Sequence, residues 1–159
     1  MATPADTRTE PIRELAPEEL GAWRGLLRVH SALVKALDAE LLAAHALPLT
    51  SYEVLINLQA APGRRRRMAE LADGVLISRS GLTRLVDRME RDGLLRRERC
   101  EDDARGYNAI ITDSGRELFR RARRTHLDGV RELFVRKLSA QELRTLAELW
   151  ERVSPGAAG

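Results

Sequence analysis

The residues of this chain best suited to chemistry lie in one stretch, Ser78-Arg79-Ser80-Gly81-Leu82-Thr83-Arg84-Leu85-Val86-Asp87-Arg88-Met89-Glu90-Arg91. At helical spacing Leu82, Leu85, Val86 and Met89 fall on one apolar face. Arg79, Ser80, Thr83, Arg84, Asp87, Arg88 and Arg91 fall on the opposite one. Hydroxyls near the N-terminus and arginines along the length are what a helix in a major groove requires. The small groups come close to base edges, and guanidinium groups meet guanine or phosphate. The competing reading is a surface helix charged for solvation. A second candidate is Glu101-Asp102-Asp103-Ala104-Arg105-Gly106, which puts Arg105 at a hairpin tip beside carboxylates that orient it. A tip arginine suits the negative potential of a minor groove, although an ordinary polar turn has the same composition. The run Arg64–Arg67 is the third, with Arg65 and Arg67 as backbone clamps or as members of a solvated loop.

These groups need elements to position them. A long helix opens at Pro17-Glu18-Glu19, with acids at the positive end of its dipole. Its seam Leu20, Trp23, Leu27, His30, Val34, Leu37, Leu41, Ala44 steps by threes and fours, the pattern of a helix packed along another helix. Arg24, Arg28, Lys35 and Asp38 then face solvent. After Pro48 a second helix is expected from a capping box of Thr50 and Glu53, with Leu49 and Val54 as its staple, running to about Ala60. A short helix, Met68 to Asp73, and the turn Gly74-Val75-Leu76-Ile77 lead to Ser78 as the cap of the arginine-bearing helix, which Gly93 closes. The period then turns extended: Leu94 to Arg99 and Tyr107 to Ile111 read as a two-stranded hairpin. Another helix starts at Thr112 or Asp113, carries Phe119, Ala122, His126, Val130 and Leu133 on one side, and ends near Lys137. The last helix has a second box, Ser139 with Glu142, and an apolar side of Leu146, Leu149, Trp150 and Val153. Short helix, turn, helix and hairpin together make a winged helix-turn-helix.

In these segments the chain resembles the MarR family of bacterial transcriptional regulators. The resemblance rests on Leu71-Ala72, Ser78 to Glu90, Gly93-Leu94, Asp103-Ala104-Arg105 and Ile111-Thr112-Asp113-Ser114-Gly115, and it spans about residues 18–153. It implies a mainly α fold with a small β-hairpin wing and long N- and C-terminal dimerisation helices. The expected organisation is a tail at 1–16, a helical dimerisation region at 17–49 and 113–153, a winged helix-turn-helix DNA-binding domain at 50–112, and a tail at 154–159. It also implies a homodimer on a pseudo-palindromic operator, acting as a repressor released by a small aromatic or phenolic ligand. Carried over by position, Ser80, Thr83 and Arg84 approach base edges, Arg79 and Arg88 phosphates, and Arg105 the minor groove; Ser78 opens this set. Such regulators resemble one another in a cleft between dimer helices and DNA-binding unit, for which Trp23, His30 and Tyr52 are the candidate lining here. Trp23 and His30 also fit a plain dimer or core seam.

Other functions have less to stand on. No phosphate-binding glycine loop, GxSxG or HExxH occurs, so no enzyme is expected. His30, His45 and His126 share no metal-ligand spacing, and no metal or cofactor is expected. A thiol-responsive regulator through Cys100, with Arg97 and Arg99 near enough to favour its thiolate and Glu98 and Glu101 opposing them, is an alternative. So is a winged-helix module that binds protein instead of DNA, but that would expose aromatics or Leu where this helix carries arginine. The 159 residues hold 27 Lys+Arg against 24 Asp+Glu, a net of +3, so charge placement rather than total charge argues for nucleic acid. A single cysteine and the lack of an apolar run of about 18 residues point to the cytoplasm, with no membrane partner.

Overall fold

The computed structural model describes residues 13–75, 79–100 and 106–156. The chain divides into two units, residues 1–32 and 33–159. Helix α1, Pro17–His45, runs through both. In the first unit its apolar residues Trp23, Leu26, Leu27 and Val29 are exposed. No single helix among the described residues is long and apolar enough to cross a membrane.

The second unit holds the core. Helix α2, Leu49–Ala60, is its axis: Leu49, Tyr52, Val54, Leu55 and Leu58 are all buried. A 3-10 turn, Pro62–Arg64, leads to strand β1, Arg65–Arg67, and directly into helix α3, Met68–Gly74. Helix α4, Arg79–Arg91, is followed by β2, Leu95–Arg99, and β3, Tyr107–Ile111. Helix α5, Asp113–Leu133, ends the core, and α6, Ala140–Val153, follows a 3-10 turn at Val135–Lys137. The sheet is antiparallel with order β1-β3-β2, Arg66 facing Ala109 and Arg97 facing Ala109 from the other side. The hairpin expected from sequence is therefore the larger part of a three-stranded sheet. The arginine run, expected as loop, supplies its third strand.

Three local expectations are corrected. Helix α2 does not begin with a Thr50–Glu53 box; its cap position is Pro48, two residues before Thr50, with no side-chain cap from its own flank. The Leu49 N–H instead donates to Asp38 Oδ1 at 2.8 Å, so α1 caps α2 across the chain. Asp38 is consequently half-buried rather than a solvent-facing residue. Helix α5 stops at Leu133 instead of continuing toward Lys137, because Phe134 leaves helical geometry while its N–H still bonds Val130 O. At α6 the expected box forms in full: Ser139 Oγ accepts from the Glu142 N–H, and Glu142 Oε2 accepts from the Ser139 N–H at 2.7 Å.

Candidate nucleic-acid interface

Helix α4 is held by its inner face. Leu82, Leu85, Val86 and Met89 are all at most 4% exposed and belong to the main core. That burial, worth about 1.5–3 kcal/mol per large aliphatic side chain, fixes which way the helix faces. Ser80, Thr83, Arg84, Arg88 and Arg91 are left exposed along the outside. Arg79 is the first residue of the helix, but its side chain lies outside the described residues, as do Ser78 and the hairpin tip with Arg105.

The helix ends at Gly93, whose φ of +71° is the left-handed conformation a glycine adopts without strain. The Leu94 N–H returns to Met89 O at 2.9 Å, closing α4. The start of α5 is fastened to the same turn. Thr112 donates its N–H to Leu94 O and its hydroxyl to Gly93 O, and its Oγ1 caps the Gly115 N–H. Gly115 lies so close that a Cβ there would collide with the Leu94 carbonyl oxygen.

Strand β1 alternates as a strand must. Arg65 and Arg67 are exposed. Arg66 turns inward and donates to Asn57 Oδ1 at 2.9 Å, while Asn57 Nδ2 donates to Glu53 O and Gly74 O. A cavity of about 420 Å³ brings Arg67 and Thr83 together with Arg97, Gly106 and Tyr107 beside α3. Two of the residues singled out from sequence thus share one recess on the α4 side of the sheet.

Arg97 is tied to α4. Its N–H donates to Glu90 Oε1 at 2.7 Å and its Nε to Glu90 Oε2 at 2.8 Å, with Asp87 Oδ1 2.7 Å from a terminal nitrogen. The guanidinium holds the Glu90 carboxyl below the usual carboxylate range, chiefly through that hydrogen bond, and Glu90 in turn raises Arg97. Arg97 is thus engaged with α4. Cys100 itself is buried, 7% exposed, with its N–H on Gly106 O.

The candidate ligand residues fall into different surroundings. Trp23 and His30 are exposed on α1. Tyr52 is buried, stacked on Phe119 at 5.6 Å and against His126 at 4.7 Å. Burial raises the Tyr52 hydroxyl's pKa, opposed by the Arg123 charge. Burial likewise lowers His126, opposed by Glu40. Among the described residues no group of three or more His, Cys, Asp or Glu is placed to hold a metal ion.

A family model for the MarR family matches residues 46–106, from just past α1 up to the start of β3. The transcriptional regulator PecS of Dickeya dadantii (strain 3937) is 30% identical over 135 residues, covering 80% of this chain and 76% of that protein. The chain belongs to the MarR family. It is a winged-helix, DNA-binding transcriptional regulator, and its family is one of regulators rather than enzymes.

Two solved MarR family structures from Streptomyces coelicolor are similar along nearly the whole fold. Sco3205, whose structure is a complex with DNA, superposes with a TM-score of 0.85 at 36% identity, over 95% of this chain and 94% of that one. AbsC superposes with a TM-score of 0.83 at 35% identity, over 90% and 96%. In this MarR family member, sequence periodicity alone separates the two faces of α4. It does not reveal the Arg66–Asn57 and Arg97–Glu90 contacts. The one available hint for the second is a carboxylate and a guanidinium seven residues apart across a helix-closing glycine.

Proposed function

We propose that this regulator binds a pseudo-palindromic operator as a homodimer, represses transcription, and is released by a small aromatic or phenolic ligand. The observation that carries the reading is the division of α4: an apolar face sunk in the core, and an outer face of Ser80, Thr83, Arg84, Arg88 and Arg91 left to solvent. In this reading Ser80, Thr83 and Arg84 meet base edges, with Ser78 at the helix start. Arg79 and Arg88 bind phosphates, Arg65 and Arg67 clamp the backbone from β1, and Arg105 enters the minor groove. The protein works in the cytoplasm, where its operator is.

Uncovered apolar surface supports the homodimer. Trp23, Leu26, Leu27, Val29, Val34 and Leu42 on α1, and Leu149 and Val153 on α6, are exposed in one protomer. Apolar residues repeated along two helices are costly to leave in water and mark an association surface. Ligand response is assigned to Trp23, His30 and Tyr52, which combine aromatic surface with a polar tip. A thiol route has less support, since Cys100 is buried.

The test is a fluorescence-anisotropy titration of a duplex from the gene's own upstream region against a scrambled duplex, at two salt concentrations. A preference of about a thousandfold or more with a steep salt slope is expected. Absence of binding at low salt would overturn the reading in favour of a protein-binding winged helix.

A further inference from the structure

We infer that Arg97 is a positioning residue for DNA recognition: it fixes the angle between α4 and the hairpin, so that both reach the duplex as one reader. This rests on the DNA reading of α4 and the hairpin given above. The covalent link between them is the turn at Asp92-Gly93-Leu94, and Leu95, Ala109 and Ile111 anchor the hairpin on one face in the core it shares with α4. Apolar contacts of that kind are non-directional and leave the angle to be set by a directional contact. Arg97 lies two residues beyond Leu95, where the strand is already clear of the turn. There Glu90 accepts from both the strand's backbone and its side chain, at 2.7 and 2.8 Å. A contact to backbone and guanidinium together resists sliding as well as rotation. Asp87, one helical turn earlier, takes a terminal nitrogen of the same guanidinium at 2.7 Å.

The setting separates this contact from ordinary surface pairing. Arg116–Asp113, Arg120–Glu117 and Arg131–Asp128 each join residues of one helix, and Arg136–Glu132 joins residues four apart at its end. Arg97 instead joins two elements. Its side chain and that of Glu90 are only 31% and 32% exposed, so the pair is partly shielded from water. Planar, bidentate geometry of this kind is available to arginine and not to lysine. The charges make the role testable by sign. Glu90 and Asp87 are carboxylates on a helix that faces phosphates, so electrostatics alone makes their removal favourable to DNA binding. A positioning role makes it unfavourable.

The experiment compares wild type, Glu90→Ala and Arg97→Lys on the upstream and scrambled duplexes, with thermal melting as the folding control. Glu90→Ala is expected to weaken upstream-duplex binding about tenfold or more, the scale of a charge-assisted hydrogen-bonded pair, while scrambled-duplex binding holds or tightens. Arg97→Lys keeps the charge and should still lose discrimination, with the salt slope unchanged because no phosphate contact is lost. Distances between spin labels at positions 91 and 107, in a Cys100→Ser background, should broaden in both variants without DNA present. Tighter upstream-duplex binding by Glu90→Ala, or an unbroadened distance, would overturn the inference. Should Glu90→Ala fail to fold, Asp87→Asn removes one arm of the contact and is expected to shift discrimination the same way by less. Wild type that binds neither duplex at low salt would overturn the DNA reading itself, whereas the label distances report on the clamp regardless.

Discussion

Helices α4 and α6 are both two-sided, one face apolar and one charged, yet the protomer treats them differently. On α4 the apolar residues are covered, Leu82 to 1% exposure, and the polar face is open. On α6 no residue is buried: Leu149 is 43% and Val153 75% exposed. A covered apolar face means the helix is held by its own chain and free to present its other side. An open one leaves its apolar side chains in contact with water. The same amphipathic pattern therefore displays its polar face in one place and leaves its apolar face uncovered in the other, and what decides is whether the chain supplies the covering side chains.

The contrast can be broken hardest at α4's inner face. Leu82→Ala is expected to cost about 2–5 kcal/mol in stability, as a lost core leucine leaves a cavity, and urea unfolding should show it as a lowered midpoint. Replacing Leu149 and Val153 with Asp should leave the protomer's fold intact but move sedimentation toward monomer. A symmetric interface loses each side chain twice, at roughly 1.5–3 kcal/mol for a buried leucine. An unchanged sedimentation coefficient would remove α6 from the association surface. On α4's outer face Arg84→Ala should weaken operator binding by about 1–3 kcal/mol and relax one base position, with no change in melting temperature. A stability loss there instead would mean that the outer face is structural.

The smallest expected effect concerns pH. Burial holds His126 below its ordinary value of 6.5, so in acid the unfolded chain takes up the proton first. Stability is then unaffected above about pH 6.5 and falls as pH drops below it, until the folded-state pKa is reached. His126→Phe keeps a ring against Tyr52 and removes the titration. Its melting temperature should fall less between pH 7 and pH 5.5 than that of the wild type.

How much of this could be read from sequence varied with the range of the deciding contacts. The α6 cap was legible because Ser139 and Glu142 complete it three residues apart, with no outside competitor. The α2 cap was not: Thr50 and Glu53 have the same spacing, but Asp38 reaches Leu49 from the preceding helix and the cap position moves two residues, to Pro48. Strand β1 escaped notice because three arginines have no strand preference of their own; pairing with β3 makes them one. The two faces of α4 followed from period alone. Which arginine of the 64–67 run turns inward, and where Arg97 goes, depended on residues brought near only by folding.

The sheet order has a consequence for contacts between copies of this chain. A three-stranded sheet leaves two rims that can recruit a foreign strand. Here the uncharged strand, Tyr107-Asn108-Ala109-Ile110-Ile111, is enclosed in the middle, and the rims are β1, which is entirely arginine, and β2, with arginines at 96, 97 and 99. Strands of like charge repel on approach, and the Arg97 N–H on the β2 rim is already taken by Glu90. The arginines of this sheet thus guard against aggregation by disfavouring edge-to-edge pairing of one copy with another.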